Sequence, residues 1–254
     1  MNGAKGGSAG KTRADVALVE RGLTETRARA QALIMAGVVF SGEKRIEKPG
    51  QQIAQDAPLE VRGADHPWVS RGGLKLEKAL DHFAIDPSGR ICLDVGASTG
   101  GFTDVLLARG AAQVFAVDVG QGQLAWKLRQ DARVVVLERV NARHLTRAEV
   151  PDPVGLIVCD ASFIGLETVL PAPMALAAPG ARLVALIKPQ FEVGKDNVGK
   201  GGIVRDPALQ EGVCRRIEAW LGAQEGWRVL GVTESPIQGA EGNKEFLIAG
   251  ERSA

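Results

Sequence analysis

The chain has 254 residues with 31 Lys and Arg against 30 Asp and Glu, a net charge of +1 that excludes a histone-like polycation and an acidic tail protein. At 45% hydrophobic and 24% charged residues it is a globular chain, long enough for one large core and a smaller unit. Cys92, Cys159 and Cys214 stand apart in no Cys-x-x-Cys or Cys/His pattern, and His66, His82 and His144 are scattered, which argues against a disulfide framework and a structural zinc site.

No metal is expected, and a reducing compartment, the cytoplasm, fits best. The first 13 residues are rich in Gly, Ala and Lys without an apolar stretch, so neither a signal peptide nor an anchor is expected. The longest apolar region, 154–187, is broken by Asp160, Glu167, Arg182 and three prolines, short of the ~20 clean residues of a membrane span.

Residues 1–12 read as a flexible tail, 13–62 as a small module, 63–69 as a linker and 70–254 as the main domain. The first 62 residues carry ten Lys or Arg and seven Asp or Glu, so this part is +3 and the remainder −2. That excess points to a polyanion, with a merely solvated surface as the alternative. The pattern predicts a helix over 13–21 stopped by Gly22. A second helix follows over 24–36, with Thr24 as N-cap and Gly37 just past its end, and then a hairpin of 38–40 and 45–47. Arg27 and Gln31, four apart, share one helical face. The candidate phosphate-facing residues of the module are Arg13, Arg27, Arg29, Lys44, Arg45 and Lys48.

After the linker, 68–83 reads as a helix burying Leu74, Ala79, Leu80 and Phe83. From residue 90 onward, apolar runs at 91–95, 114–117, 134–137, 156–159, 183–187, 228–233 and 246–249 alternate with helical segments. Such alternation predicts an α/β fold with a largely parallel sheet covered on both faces.

The stretch Leu93-Asp94-Val95-Gly96-Ala97-Ser98-Thr99-Gly100-Gly101-Phe102-Thr103 is a strand end, a glycine turn and a helix start. Ser98 takes the second glycine position of a dinucleotide fingerprint, and Asp94 would repel a pyrophosphate. A carboxylate there suits a ligand with an ammonium group, such as the methionine end of S-adenosylmethionine. Asp118, followed by Val119, ends the next strand and can accept both hydroxyls of a ribose. Taken alone, the glycine turn is compatible with a merely tight turn. Asp94, Asp118, Asp160 and Lys188 all lie at carboxyl ends of expected strands, the rim where open parallel sheets bind ligands. A structural salt bridge between Asp160 and Lys188 is the alternative.

The run Gly194-Lys195-Asp196-Asn197-Val198-Gly199-Lys200-Gly201 nearly spells a P-loop, but Gly201 replaces the hydroxyl residue that would meet magnesium. Residues 192–205 read instead as a mobile lid presenting Lys195, Lys200 and Arg205 to phosphates, or as a flexible loop.

These motifs, with Trp68-Val69-Ser70-Arg71-Gly72-Gly73-Leu74-Lys75-Leu76, Cys159-Asp160-Ala161-Ser162-Phe163-Ile164, Lys188-Pro189-Gln190-Phe191 and Gly242-Asn243-Lys244-Glu245, carry a resemblance. The sequence resembles, almost end to end, the TlyA family of ribosomal RNA cytidine 2′-O-methyltransferases, some of which bear the name haemolysin. The resemblance implies a Rossmann-like class I methyltransferase with a mostly parallel seven-stranded sheet, helices on both faces and a small N-terminal α+β RNA-binding domain. It implies S-adenosylmethionine as cofactor and ribosomal RNA or ribosomal subunits as partner, chiefly the large subunit. The cofactor residues are then Asp94, Gly96, Ala97, Ser98, Thr99, Gly100, Gly101, Phe102, Asp118, Val119, Asn141 and Asp160. Asn141 falls where the adenine is contacted, with a loop cap as the alternative, and Arg71 joins the RNA-contacting set. The Lys-Asp-Lys-Glu tetrad of FtsJ-type enzymes falls on Lys75, Asp160, Lys188 and Glu245. His66 departs from the family, which has Arg there.

Methylation of a ribose hydroxyl requires that the oxygen lose its proton as it attacks. Lys188 is the candidate base and Lys75 a neighbouring cation able to stabilise alkoxide charge, while Asp160 and Glu245 orient them. Two other classes stay in view: a non-catalytic RNA-binding ribosome-assembly factor and a membrane-lytic protein.

Overall fold

The computed structural model describes residues 10–24, 26–61, 66–239 and 242–254, without the Lys195 side chain. Most of the expected tail, 1–9, and linker residues 63–65 lie outside it. The chain divides into two compact units, Met1–Pro67 and Trp68–Ala254.

The smaller unit runs β1 (Lys11–Arg13), α1 (Ala14–Glu20), α2 (Arg27–Met35), β2 (Val39–Ser41), β3 (Lys44–Arg45), β4 (Gln52–Ala54) and β5 (Glu60–Val61). Strand β1 pairs antiparallel with β4, and a second sheet has the order β3-β2-β5. Lys11 and Thr12, expected in the tail, therefore belong to a strand. Ala14, Ala17 and Leu18 of α1 and Ala30 and Ile34 of α2 close over Val39, Ile46 and Ile53 to form its core. Helix α2 starts later than expected. Thr26 is extended and its hydroxyl accepts from Arg29 N at 3.2 Å, making it the N-cap, whereas the Thr24 hydroxyl is buried without a partner. The end of α2 follows the sequence reading: Gly37, at φ +73°, supplies the left-handed residue after Ala36.

The larger unit contains α3 (Gly72–His82), β6 (Ile91–Val95), α4 (Gly101–Ala108), β7 (Gln113–Asp118), α5 (Trp126–Arg129), β8 (Val134–Glu138) and β9 (Val154–Cys159). It continues with α6 (Leu166–Val169), α7 (Pro171–Ala175), β10 (Ala177–Ile187), α8 (Pro189–Glu192), α9 (Pro207–Gly222), β11 (Trp227–Glu234) and β12 (Phe246–Arg252). Each of the seven expected apolar runs lies within one of the seven strands, whose order is β11-β12-β10-β9-β6-β7-β8. Only β12 is reversed, antiparallel to β10 and β11.

Alternate strand residues feed two cores. Leu93 and Val95 face the side covered by α6, α7 and α9, while Cys92 faces the side covered by Leu76 and Leu80 of α3 and Phe102 and Leu106 of α4. Helix α3 begins at Gly72 rather than at residue 68. The Trp68 ring lies so close to Gly73 that a β-carbon there would come within 2.4 Å of it, and the chain bends instead of coiling. Its buried face holds Gly73, Lys75, Leu76, Ala79 and Leu80, whereas Leu74 and Phe83, expected inside, are half-buried.

Ile34 is almost fully enclosed in the small core. Ile34→Ala should cost roughly 2–5 kcal/mol there, read by hydrogen exchange as faster opening of α1 and α2 with β6 and β9 unchanged. Equal loss of protection in both units would show that they unfold as one.

Candidate active site

The strand order turns at β6, which continues to β7 and β8 on one side while β9 and β10 lie on the other. This opens a crevice beyond the carboxyl ends of β6 and β9. Gly96, at φ +82°, lines it, and a β-carbon there would stand 2.9 Å from Ala161 Cα, so only glycine lets the two strand exits approach. Gly96 N donates to Val117 O at 2.9 Å and Asp160 N to Val95 O at 3.0 Å, locking the three exits together. Ser98, in the second glycine position, adopts glycine's left-handed conformation at φ +48°. Its N–H donates to Asp118 Oδ2 at 2.8 Å, and Gly120 N donates to Oδ1 at 2.7 Å. Both Asp118 oxygens are thereby fixed, and each keeps acceptor capacity for a hydroxyl.

Two adjoining clefts share Gly96, Ser98, Asp160, Ser162 and Phe163. The larger, about 520 Å³, is also lined by Asp118, Val119 and Asn141. Asn141 Oδ1 accepts from Arg143 N at 3.1 Å and caps the 3-10 turn Ala142–His144, so the residue is both loop cap and cleft wall. The smaller, about 320 Å³, is lined by Arg71, Ala97, Thr99, Gly101 and Phe102 together with Lys75, Lys188 and Glu245.

Two expected cofactor residues line neither cleft. Gly100 lies beneath the loop, its α-carbon against Leu124 and Leu128. Asp94, expected to meet an ammonium group, is wholly enclosed; its Oδ2 accepts from Thr103 Oγ1 at 2.7 Å and its Oδ1 has no partner. Burial pushes its pKa up to about 7, with the Thr103 bond opposing and the Asp160 and Asp118 charges adding to the rise.

The four tetrad residues form one chain of alternating charge. Lys75 Nζ lies 2.7 Å from Glu245 Oε2 and 3.8 Å from Asp160 Oδ2. Lys188 Nζ contacts Asp160 Oδ1 at 2.6 Å as an ion pair and donates to Asp160 O at 3.1 Å and Ser162 Oγ at 2.9 Å. Lys75, Lys188 and Glu245 are buried, with 8%, 7% and 3% of their surface exposed. The Asp160–Lys188 salt bridge is therefore real, and it forms part of a cleft wall.

The sequence reading missed Ser162, Gln190 and an aromatic pair beside the tetrad. Phe163 is 89% exposed at φ +64°, its ring centred 5.0 Å from that of Phe191. No periodicity marks such loop residues; their place within the motifs at 159–164 and 188–191 that carry the resemblance is the signal that could have found them.

Lys200 and Arg205 are exposed, and the Lys195 side chain lies outside the described residues. Asn243, nearly enclosed, accepts from Val204 N at 3.1 Å and donates to Gly202 O at 2.9 Å, tying down the second half of 192–205. In the smaller unit Arg27, Arg29, Lys44, Arg45 and Lys48 are exposed, and Arg13 is half-buried. Among the described residues no three His, Cys, Asp or Glu side chains group as a metal site, and no helix is long and apolar enough to cross a membrane.

Residues 68–252 match the model of the FtsJ-like methyltransferases. The chain belongs to this family. It is 51% identical over 244 residues to the 16S/23S rRNA (cytidine-2′-O)-methyltransferase TlyA of Mycobacterium tuberculosis, a match covering 94% of this chain and 89% of the relative. It is 41% identical over 236 residues to Hemolysin A of Brachyspira hyodysenteriae, covering 92% and 98%. A solved structure from Streptococcus thermophilus, also named for hemolysin, aligns with a TM-score of 0.75 at 44% identity, covering 96% of this chain and 90% of that one. The fold of the larger unit is accordingly the Rossmann-like class I methyltransferase fold.

Asp94 titrates near 7 when folded and about 4 when unfolded, so the unfolded chain gives up its proton first and stability falls as pH rises between these values. Asp94→Asn removes this penalty and should add on the order of 4 kcal/mol near pH 8 and nothing near pH 4, read by urea unfolding. An equal effect at both pH values would rule out burial of the charge as the cause.

Proposed function

We propose that the chain methylates the 2′-hydroxyl of a cytidine in ribosomal RNA, chiefly in the large subunit, with S-adenosylmethionine as donor. The observation that carries this reading is the Glu245–Lys75–Asp160–Lys188 chain, with both lysines and Glu245 buried, on the wall of one cleft that opens into a second holding Asp118. Burying two lysines costs several kcal/mol each unless paired, and such pairs seldom add net stability, so their position at a cleft favours chemistry over architecture. A dead relative retained as an assembly factor would have no need to keep all four.

Asp118, Val119 and Asn141 would hold the nucleoside part of the cofactor, and Gly96, Ala97, Ser98, Thr99, Gly101 and Phe102 would shape the wall along its amino-acid part. Asp118 fits a ribose because both its oxygens are fixed and still able to accept. The bound cofactor supplies an electrophilic methyl on a sulfonium. Lys188 Nζ, steadied by Asp160 and Ser162, takes the hydroxyl proton as the neutral amine, having released the proton of its resting ion pair before the hydroxyl attacks. Lys75, held by Glu245, places positive charge where the oxygen becomes negative. Asp160 keeps both lysines at the same wall. Phe163 and Phe191 offer a face on which an unstacked base can lie. The exposed Arg29, Lys44, Arg45 and Lys48 of the smaller unit, with Arg71, Lys200 and Arg205, grip RNA phosphates, which carry position rather than sequence. Ribosomes place this work in the cytoplasm.

The test is transfer of labelled methyl to ribosomal subunits lacking the modification, with resistance of the labelled linkage to alkali. Lys188→Ala should lose at least ~100-fold in turnover with cofactor affinity within about two-fold, and Lys188→Arg should not restore it, since a guanidinium cannot take the proton. Near-normal turnover in Lys188→Ala would remove Lys188 from this role. An alkali-labile label from the wild type would overturn 2′-O-methylation.

A further inference from the structure

The smaller unit holds a second charged cluster, built around a carboxylate that solvent does not reach. Asp15 is 0% exposed and uses both oxygens. Arg13 donates through Nε to Oδ1 and through Nη2 to Oδ2, each at 2.9 Å. Arg27 Nε donates to Oδ2 at 2.9 Å, and Gln31 Nε2 to the same oxygen at 3.0 Å. The bonds from Arg13, then those from Gln31 and Arg27, hold the Asp15 pKa well below the usual carboxylate range against the opposing effect of burial, so it stays charged.

The charges are layered. The anion is sealed behind, while the side chains of Arg13 and Arg27 are 42% and 55% exposed. Two guanidinium groups placed side by side repel each other; a carboxylate bridging them from behind holds them together before any second anion arrives. Arg27 engages Asp15 through Nε alone, which leaves its two terminal nitrogens for that anion. The cluster as a whole keeps one positive charge. Arg21, by contrast, is used up on the backbone, donating to Ala57 O at 2.5 Å and Gln55 O at 2.7 Å.

We propose that Asp15 is the positioning residue of a phosphate clamp whose two jaws are Arg13 and Arg27, steadied by Gln31, and that the clamp takes a phosphodiester of structured RNA. The inference rests on the RNA reading above and adds the residue that presets its grip.

Asp15→Asn in the full-length protein separates this idea from simple charge, because the two predict opposite signs. Removing a negative charge strengthens RNA binding if only net charge matters; losing the preset clamp weakens it. The expected result at fixed salt is about ten-fold weaker binding of a labelled large-subunit rRNA fragment and a similar rise in KM for subunits, with kcat at saturation and cofactor affinity unchanged. Equal or tighter binding, or a fall in kcat matching the rise in KM, would overturn the proposal. If Asp15→Asn does not fold, Arg27→Gln, which keeps the other two partners of Asp15, gives the reading. Its log–log salt slope of RNA binding should drop by about one contact, and an unchanged slope overturns the clamp. Binding is read directly, so a wild type that binds RNA but transfers no methyl would defeat the catalytic reading and leave the clamp standing.

Discussion

Two lysine ammonium groups lie out of solvent at the carboxyl edge of a mostly parallel sheet, and much of the architecture serves to bring each a carboxylate. Isolated charges could not stay there. Asp160 contacts both, and Glu245 closes the far end of the chain. The reversed direction of β12 meets the same requirement. In a parallel strand the first residue lies at the opposite edge from the ligand rim. Because β12 runs antiparallel, its first residue, Phe246, pairs with Ile187, the last of β10. Glu245 and Lys188, one step beyond that pair on either strand, therefore come to the same edge. Lys75 arrives by a different route, from the second turn of α3, whose neighbours Leu76, Ala79 and Leu80 anchor the helix on the sheet.

The side of the crevice that holds Asp118 depends on backbone geometry rather than on charge. Gly96 permits contact with Ala161, Ser98 accepts a strained left-handed conformation, and Asp118 draws N–H groups from both Ser98 and Gly120. A side chain with φ > 0 costs energy, and the bond from Ser98 N to Asp118 supplies a compensating interaction at that residue. The same residues thus fix the loop and aim the acceptors.

The sheet was legible because each of its strands contains a run of Val, Leu and Ile too short for a helix, and such runs hardly depend on distant contacts. The rim was legible from where those runs end. What escaped depends on tertiary contact. Strands β1, β4 and β5 have two or three residues and no alternation to detect, and the start of α3 is set by packing of Trp68 on Gly73. Asn243 is distant in sequence from the loop it ties down. Asp94 is a case where the signal existed: strand side chains alternate, so Asp94 shares the face of Cys92, toward α3 and α4, and not that of Leu93 and Val95. The tetrad roles came from resemblance; spacing alone left a salt bridge equally open. Asp15 sits among the apolar Ala14, Ala17 and Leu18 with nothing local to show that three side chains would converge on it.

The charge balance of the two units fits the proposed division between chemistry and grip. In its resting, ion-paired form the tetrad carries two positive and two negative side chains and sums to zero, so beyond a Debye length of about 8 Å it offers an RNA little attraction. Its value lies at contact distance, in a low dielectric, where the orientation of each charge matters more than the sum. Long-range attraction has to come from cations left facing water, and the first 62 residues carry that excess of +3. On the proposed reading, a lysine buried for proton transfer and an arginine exposed for phosphate binding make opposite demands on solvation. Each is met by a carboxylate placed differently: Asp160 between two enclosed lysines, and Asp15 sealed behind two exposed arginines.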